Sequence, residues 1–161
     1  NFGDLNIEGA FVAADGLHLL QRANAGARRN ACIRYDLREF TAWLAGAAAP
    51  SPQAVADHDL GCAGDVPFGF TDGAALADGG WVFSAVAEAT RDSYADGECA
   101  GSLVGRVSPQ GELLELQPLA GAPKVEGIAV AGPRRMLLVT DADDPARPSQ
   151  LLALAWDAVT A

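Results

Sequence analysis

Residues 7–13, with the sequence Ile7-Glu8-Gly9-Ala10-Phe11-Val12-Ala13, give the strongest indication of the fold, because similar stretches occur twice more in the chain. The other copies are Thr71-Asp72-Gly73-Ala74-Ala75-Leu76-Ala77 and Val125-Glu126-Gly127-Ile128-Ala129-Val130-Ala131. Each copy has an acidic residue, a glycine and then small or apolar residues, and a turn rich in Gly, Asp or Pro follows it. Apolar runs joined by such turns are typical of β-hairpins. The repeat therefore predicts three units of similar construction.

Further strands are expected to follow each copy. The predicted second strands span residues 17–22, 81–86 and 135–140, the third strands 31–36, 102–107 and 151–156, and the fourth strands 39–44 and 112–119. Repeated four-stranded units are typical of propeller blades. The predicted fold class is therefore all-β, a β-propeller of which this chain supplies about three four-stranded blades. A β-sandwich is the alternative, but it does not explain why an acid–glycine pair begins every unit.

The predicted blades divide the chain into consecutive parts of one propeller domain. They are residues 1–46, residues 57–121 with an inserted acidic loop, and residues 124–161 as a partial blade, with the Ala/Pro/Ser-rich stretch 47–52 as a linker. Known propellers close with about four to eight blades. The chain, which begins at Asn1 without a Met, is therefore expected to be a fragment, with the remaining blades as its partner.

Composition limits the other partners. The 161 residues include 11 basic and 21 acidic ones, for a net charge of −10, and 50% of them are hydrophobic. An acidic surface disfavours nucleic acid, because phosphates need a basic face. No apolar run approaches the roughly 20 residues of a membrane span. We therefore expect neither nucleic acid nor a membrane as a partner.

The cysteines leave the compartment open. Cys32, Cys62 and Cys99 lack the spacing of a structural zinc site. Cys62 and Cys99 would be free to pair in an exported protein, but buried free thiols are the favoured interpretation. The two histidines, His18 and His58, have no nucleophile at a motif spacing, so a serine-hydrolase triad is not predicted.

The repeated acids are expected at one mouth of the propeller channel, because the start of a first strand lies beside the end of the second in an antiparallel hairpin. The candidate ligand-binding residues there are Glu8, Arg22, Asn24, Asp72, Glu88, Lys124 and Glu126. Crowded carboxylates repel one another, and Ca²⁺ would hold them through several oxygen ligands. The candidate calcium ligands are Glu8, Asp72, Glu126, Asp141 and Asp143.

Three alternatives to calcium stay open. Arg22 and Lys124 would serve as internal counter-charges, or the carboxyl pKa values would be raised. The acid–glycine pair would also have a purely structural use, in which the carboxylate accepts local backbone N–H groups and the glycine allows close packing.

Several segments resemble a bacterial β-propeller family of uncharacterised function, and the resemblance covers nearly the whole chain. The segments include Leu5-Asn6-Ile7-Glu8-Gly9-Ala10, Val66-Pro67-Phe68-Gly69-Phe70-Thr71-Asp72, Asp96-Gly97-Glu98-Cys99-Ala100-Gly101-Ser102, Lys124-Val125-Glu126-Gly127 and Thr140-Asp141-Ala142-Asp143-Asp144-Pro145. That family is similar to the phytase-like (esterase-like) propellers, which share a Glu-Gly pair at the start of inner strands. The resemblance implies a six-bladed propeller and a metal, since acids at the channel mouth of calcium-dependent propeller phytases bind Ca²⁺ and the substrate phosphate.

Function divides into three hypotheses. The first is a module that binds a cation, Ca²⁺ in particular, and a small ligand at the acidic mouth. The second is a metal-dependent phosphoesterase or esterase, with Glu88 or Asp72 as general base and Arg22 orienting the anion. The third is a purely structural or interaction propeller. We favour binding, because no nucleophile motif is visible.

Overall fold

The computed structural model describes residues 5–23, 29–89 and 99–156. The first four strands form one antiparallel sheet, which we call sheet 1. It contains β1 (Ile7–Ala13), β2 (Gly16–Gln21), β3 (Asn30–Tyr35) and β4 (Ala54–His58), paired in that order, and the helix α1 (Leu37–Leu44) connects β3 to β4. No helix in the described part of the chain is long and apolar enough to cross a membrane.

The remaining strands form two further sheets and a small hairpin. The hairpin pairs β5 (Cys62–Ala63) with β6 (Val66–Pro67). Sheet 2 contains β7 (Gly69–Ala75), β8 (Trp81–Glu88), β9 (Cys99–Val107) and β10 (Leu113–Pro118), and sheet 3 contains β11 (Val125–Gly132), β12 (Arg135–Thr140) and β13 (Leu151–Ala155). Within each sheet, every strand pairs with the next one in sequence.

The prediction of a mostly β protein built from small antiparallel sheets is confirmed. Each copy of the repeat lies on the first strand of a sheet, namely β1, β7 or β11. The predicted second and third strands are also present. The described residues form no closed ring of sheets, so the propeller itself stays a prediction.

The predicted fourth strand at residues 39–44 is wrong, because this segment is α1. The side chain of Asp36 accepts hydrogen bonds from the backbone N–H groups of Arg38 and Glu39, at 2.8 and 2.9 Å. A carboxylate at this position satisfies N–H groups that a helix start leaves unpaired. The fourth strand is instead β4, so residues 47–52 form a loop inside sheet 1 rather than a linker between units.

The apolar side chains form two cores, one on each side of sheet 2. The core against sheet 1 includes Phe11, Leu20, Phe70, Trp81 and Phe83. The core against sheet 3 includes Val82, Val104, Val125, Met136 and Leu138. Burying each such side chain stabilises the fold by about 1.5–3 kcal/mol. Sheet 2 is thus the middle layer, and β8 is almost entirely buried.

Glycine in the repeat allows the first strands to approach one another. A Cβ atom added to Gly9 would lie 2.9 Å from the Cα atom of Asp72, and one added to Gly73 would lie 2.9 Å from Leu20 Cδ1. Strand β1 packs directly against β7, and β7 packs against β11. The starts of the three repeat strands therefore lie side by side, and this arrangement positions the charged residues described next.

Candidate functional site

Three charged residues, one from each sheet, meet where the repeat strands begin. Arg22 directly follows β2, Glu88 is the last residue of β8, and Lys124 directly precedes β11. Arg22 Nη2 lies 2.6 Å from Glu88 Oε2, and Lys124 Nζ lies 2.9 Å from Glu88 Oε1. We call Arg22, Glu88 and Lys124 the three-sheet cluster. Its side chains are only 14%, 6% and 12% exposed, so their mutual charges are poorly screened by water.

The backbone around Arg22 fixes the direction of its side chain. Its N–H group donates a 2.8 Å hydrogen bond to the carbonyl oxygen of Asn6, which lies beside it at the same end of the β1–β2 pair. The side chain then passes over Gly69 at the start of β7, where an added Cβ atom would lie 2.7 Å from Arg22 Cγ. A side chain at position 69 would therefore displace Arg22 from Glu88.

Glu126, next to the three-sheet cluster, is a carboxylate with an unpaired oxygen. Its Oε1 atom is buried, has no hydrogen-bond partner, and lies 3.7 Å from Lys124 Nζ, which is too far for a hydrogen bond. Burial raises the pKa of Glu126 to about 7, although Lys124 and Arg22 act in the opposite direction. Near neutral pH the Glu126 carboxyl is thus able both to accept and to donate a proton.

Lys124 stays positively charged because acids surround it. Burial would lower its pKa, but hydrogen bonds to Asp143 and Glu88 outweigh that effect and raise the pKa well above the usual value. Asp143 itself is held by a local turn, in which its N–H group donates to Asp141 Oδ1 at 3.0 Å. Lys124 therefore links the three-sheet cluster to the loop that follows β12.

A cavity of about 780 Å³ lies beside Lys124. Two loops line most of it, residues 121–124 before β11 and residues 140–150 after β12, and Cys99 adds a thiol from β9. Lys124 and Arg147 supply positive charge to the lining, and Asp141 and Asp143 supply negative charge. Small-molecule sites typically enclose about 300–1,000 Å³, so this cavity has the size of a ligand pocket.

The repeated acids have different surroundings although their sequences match. Glu8 and Glu126 lie at shifts of strand register, between Ile7 and Gly9 in β1 and between Val125 and Gly127 in β11. The two side chains interact electrostatically, since the negative charge of Glu8 contributes to the raised pKa of Glu126.

Asp72 makes different contacts from Glu8 and Glu126. The register shift in β7 lies between Phe70 and Asp72, which is one residue earlier relative to the acid than the shifts in β1 and β11. Its Oδ2 atom accepts a 3.0 Å hydrogen bond from the N–H group of Ile128 in β11, and Oδ1 accepts one from Gly73 at 2.8 Å. Burial raises the pKa of Asp72, although these two hydrogen bonds lower it. Asp72 thus links sheet 2 to sheet 3, which favours the structural interpretation for this copy.

The structure therefore brings together some of the predicted site residues. Arg22, Glu88, Lys124, Glu126 and Asp143 form one connected group, and Asp141 lines the cavity beside it. Asn24 and the acids of the inserted loop, Asp92, Asp96 and Glu98, lie outside the described residues. Sequence reasoning missed Arg147 and Cys99, because only the folded loops show that they line the cavity.

Arg22 and Lys124 pair with Glu88 and Asp143, and the Glu126 carboxyl has a raised pKa, so internal counter-charges and a raised pKa both occur in this group. Among the residues that the structure describes, no group of three or more His, Cys, Asp or Glu side chains is arranged to hold a metal ion. Calcium binding stays a prediction. The three cysteines are free thiols, with Cys32 buried and Cys62 and Cys99 half-buried.

The fold and the site define a mostly β protein of three stacked antiparallel sheets, with a charged cluster at one end and a polar cavity beside it. The chain belongs to DUF6910, a family of unknown function whose model matches residues 1–145. No curated protein and no solved structure matches the chain significantly. Membership of a family of uncharacterised function is confirmed, whereas the propeller and the phytase-like relationship stay predictions.

Proposed function

We propose that the three sheets are consecutive blades of a β-propeller, and that the cavity beside the three-sheet cluster binds a small polar ligand. Two features support the propeller. The sheets stack in chain order, and their first strands, β1, β7 and β11, pack beside one another as inner strands of adjacent blades would.

The outer face of sheet 3 also supports further blades. Val139 pairs with Leu151, and these side chains are 45% and 68% exposed on the face away from sheet 2. On the opposite face Met136 and Leu138 are buried against sheet 2. An exposed apolar face of this kind marks a contact surface. A further sheet would cover this outer face if it packed on sheet 3 in the way that sheet 3 packs on sheet 2.

Ligand binding rests on one observation, that Lys124 belongs to the buried charge cluster and also lines the cavity. Its ion pairs hold the ammonium group in place, so a ligand meets a pre-positioned charge. Lys124 and Arg147 suit an anionic group of the ligand, and Asp141 accepts hydrogen bonds. The ligand class that fits is a small molecule with an acidic group and a hydrogen-bond donor.

Isothermal titration with a panel of small carboxylates, amino acids and phosphate monoesters tests this proposal. Arg147→Gln removes a charge from the lining, and Arg135→Gln on β12 is the matched control outside the cavity. We expect at least one probe to bind and to bind about tenfold more weakly to the Arg147 variant, which corresponds to about 1.4 kcal/mol. Absence of binding by every probe, or equal binding by both variants, would contradict the proposal. A separate titration with Ca²⁺ alone tests the calcium prediction.

The raised pKa of Glu126 favours hydrolysis as a second candidate function. Glu88, expected from the sequence as a general base, is occupied by Arg22 and Lys124. Glu126 has an unpaired oxygen beside the same cations and is better suited to proton transfer. A screen of phosphomonoesters and acyl esters, with and without added divalent metal, should find an activity that Glu126→Gln removes. Activity that is unchanged in this variant would exclude Glu126 as the acid or base.

A further inference from the structure

A second, smaller cavity lies between sheets 1 and 2, at the opposite end of the strands from the three-sheet cluster. Its volume is about 170 Å³, and its lining includes Cys32, His18, His58 and Arg34, with Ala56 and Trp81 as apolar walls. The turn between β1 and β2 closes one side through Asp15, and the turn after β9 closes another.

Three of these side chains form a connected chain of a thiol, an imidazole and a carboxylate. Cys32 Sγ lies 3.3 Å from His18 Nδ1, and His18 Nε2 lies 2.9 Å from Asp15 Oδ1. Arg34 Nη1 lies 2.6 Å from the other oxygen of Asp15 and so orients that carboxylate. A nucleophile, a base and a residue that orients the base are the parts that nucleophilic catalysis requires.

The pairing of β2 with β3 produces this arrangement. His18 pairs with Arg34, and Cys32 lies two residues from Arg34 on the same face of β3. The ring of His18 also stacks on Phe11 of β1, with 4.8 Å between ring centroids. Backbone pairing and ring stacking thus hold the imidazole between the thiol and the carboxylate.

The hydrogen bonds also place the protons. Burial would raise the pKa of Asp15, but hydrogen bonds from Arg34 and His18 outweigh it and lower the pKa. An ionised carboxylate accepts hydrogen bonds but cannot donate one. In the neutral form of His18 the proton is therefore on Nε2, which faces Asp15, and Nδ1 has a lone pair. Cys32 therefore donates its S–H to Nδ1. Burial raises the pKa of Cys32 to about 12, so the resting sulfur is a thiol.

Two residues that line this cavity also have a buried polar atom without a hydrogen-bond partner. His58 is only 6% exposed, and its Nε2 atom is buried without a hydrogen-bond partner. Arg34 Nε is likewise buried and without a partner. Leaving such a group unpaired costs about 1–3 kcal/mol, and an oxygen atom of a bound molecule would remove part of that cost. Burial lowers the pKa of His58, which favours the neutral imidazole.

We propose that this cavity is a site of acyl transfer, in which Cys32 is the nucleophile, His18 the general base and Asp15 the residue that positions His18. Cys32 Sγ attacks the carbonyl carbon of a small ester or thioester, and its proton passes to His18 Nδ1. As the bond to the leaving oxygen or sulfur breaks, His18 returns the proton to that atom. The acyl group remains on Cys32 as a thioester. Water then attacks its carbonyl carbon, the bond from that carbon to Cys32 Sγ breaks, and the acyl group leaves as a carboxylic acid while the thiol is restored.

The size of the cavity limits the substrate. A water-sized group takes about 30 Å³, so about 170 Å³ holds roughly five or six such groups. The side chains of Ala56 and Trp81 favour an uncharged, apolar acyl chain. Acetyl and propionyl groups are the acyl groups that fit.

The test is acetylation of the 161-residue chain by S-methyl thioacetate, with the modified cysteines located by peptide mass spectrometry after an acid quench. We expect Cys32 to be acetylated faster than the half-buried Cys62, although Cys32 is more deeply buried. His18→Gln should slow the acetylation of Cys32 on the order of 100-fold, as removal of a general base does. Asp15→Asn should slow it by a smaller factor, and Cys62→Ser should leave it unchanged.

Two results would overturn the proposal. One is the finding that Cys62 of the wild-type protein is acetylated and Cys32 is not. This comparison uses no variant, so it remains valid even if a substitution unfolds the chain. The other is a His18→Gln protein that melts cooperatively like the wild type and acetylates Cys32 at the wild-type rate. Either outcome would mean that His18 only connects Asp15 in the β1–β2 turn to Cys32 in β3 and has no role in catalysis.

Discussion

Arg22 Nη2 lies 2.6 Å from Glu88 Oε2 although 66 residues separate them in the chain. The pair joins sheet 1 to sheet 2, and Lys124 extends it to sheet 3 through the other oxygen of Glu88. One buried carboxylate thus holds two cations from two neighbouring sheets. The relative placement of all three sheets at this end depends on it.

Removing Glu88 should therefore be costly. Glu88→Ala leaves two poorly exposed cations without their shared partner, and loss of one member of a buried ion pair typically destabilises a protein by about 3–5 kcal/mol. Asp78→Asn is the control, because its ion pair with Arg106 lies within sheet 2 and is more exposed. We expect that control to cost under about 1 kcal/mol. Urea unfolding of both variants measures the difference, and equal losses would contradict the role of Glu88.

Glu126 should make stability depend on pH. In the folded chain the pKa of Glu126 is about 7, above the ordinary value of 4.5. Between these two pH values the folded chain therefore keeps this proton, whereas the unfolded chain has lost it. The stabilising contribution is complete below about pH 4.5 and is lost as the pH rises toward 7. Unfolding free energies measured between pH 5 and pH 8 should fall less steeply in Glu126→Gln than in the wild type. Parallel curves would show that Glu126 titrates normally.

The glycines of the repeat should differ in their tolerance of alanine. Gly9→Ala places a Cβ atom 2.9 Å from the backbone of Asp72, so β1 must move away from β7. Overpacking of this kind costs about 1–3 kcal/mol. Gly127→Ala is the matched control from β11, where the nearest atom lies at 3.7 Å, an ordinary contact distance. Thermal unfolding should show a clear loss for Gly9→Ala and little change for Gly127→Ala, and the opposite order would be inconsistent with the packing described.

The apolar outer face of sheet 3 should promote self-association of the isolated chain. Leu151→Lys replaces a side chain that is 68% exposed, so we expect better solubility with little loss of stability. Leu138→Lys is the contrasting variant, because Leu138 is buried against sheet 2 and a charge there should prevent folding. Light scattering and circular dichroism distinguish the two effects. An isolated chain that is monomeric and as soluble as the Leu151 variant would argue against missing blades.

The sequence predicted the features that depend on local pattern. The repeat located the first strand of each sheet, and the turns after it located the second strands. It also identified Arg22 and Lys124 as counter-charges for the acids, because the ends of paired strands meet. The helix α1 was missed although Asp36 with Glu39 three residues later is a helix-start pattern. The expected pattern of four strands in each unit favoured a strand at residues 39–44 instead.

Other features depend on register and were beyond sequence reasoning. Relative to the acid, the shift in β7 comes one residue earlier than in β1 and β11, and Asp72 contacts Ile128 whereas Glu126 lies beside Lys124. The contact between His18 and Cys32 likewise depends on how β2 pairs with β3. Bulges and cross-strand diagonals arise from packing, which a single sequence does not specify.

A crystal structure of the protein would be the strongest test of the proposed propeller. We expect sheets 1, 2 and 3 to be adjacent blades, Arg22, Glu88 and Lys124 to face one mouth of the channel, and a further sheet to cover Val139 and Leu151. A structure in which that outer face of sheet 3 is open to solvent, or in which Glu88 contacts neither Arg22 nor Lys124, would contradict it.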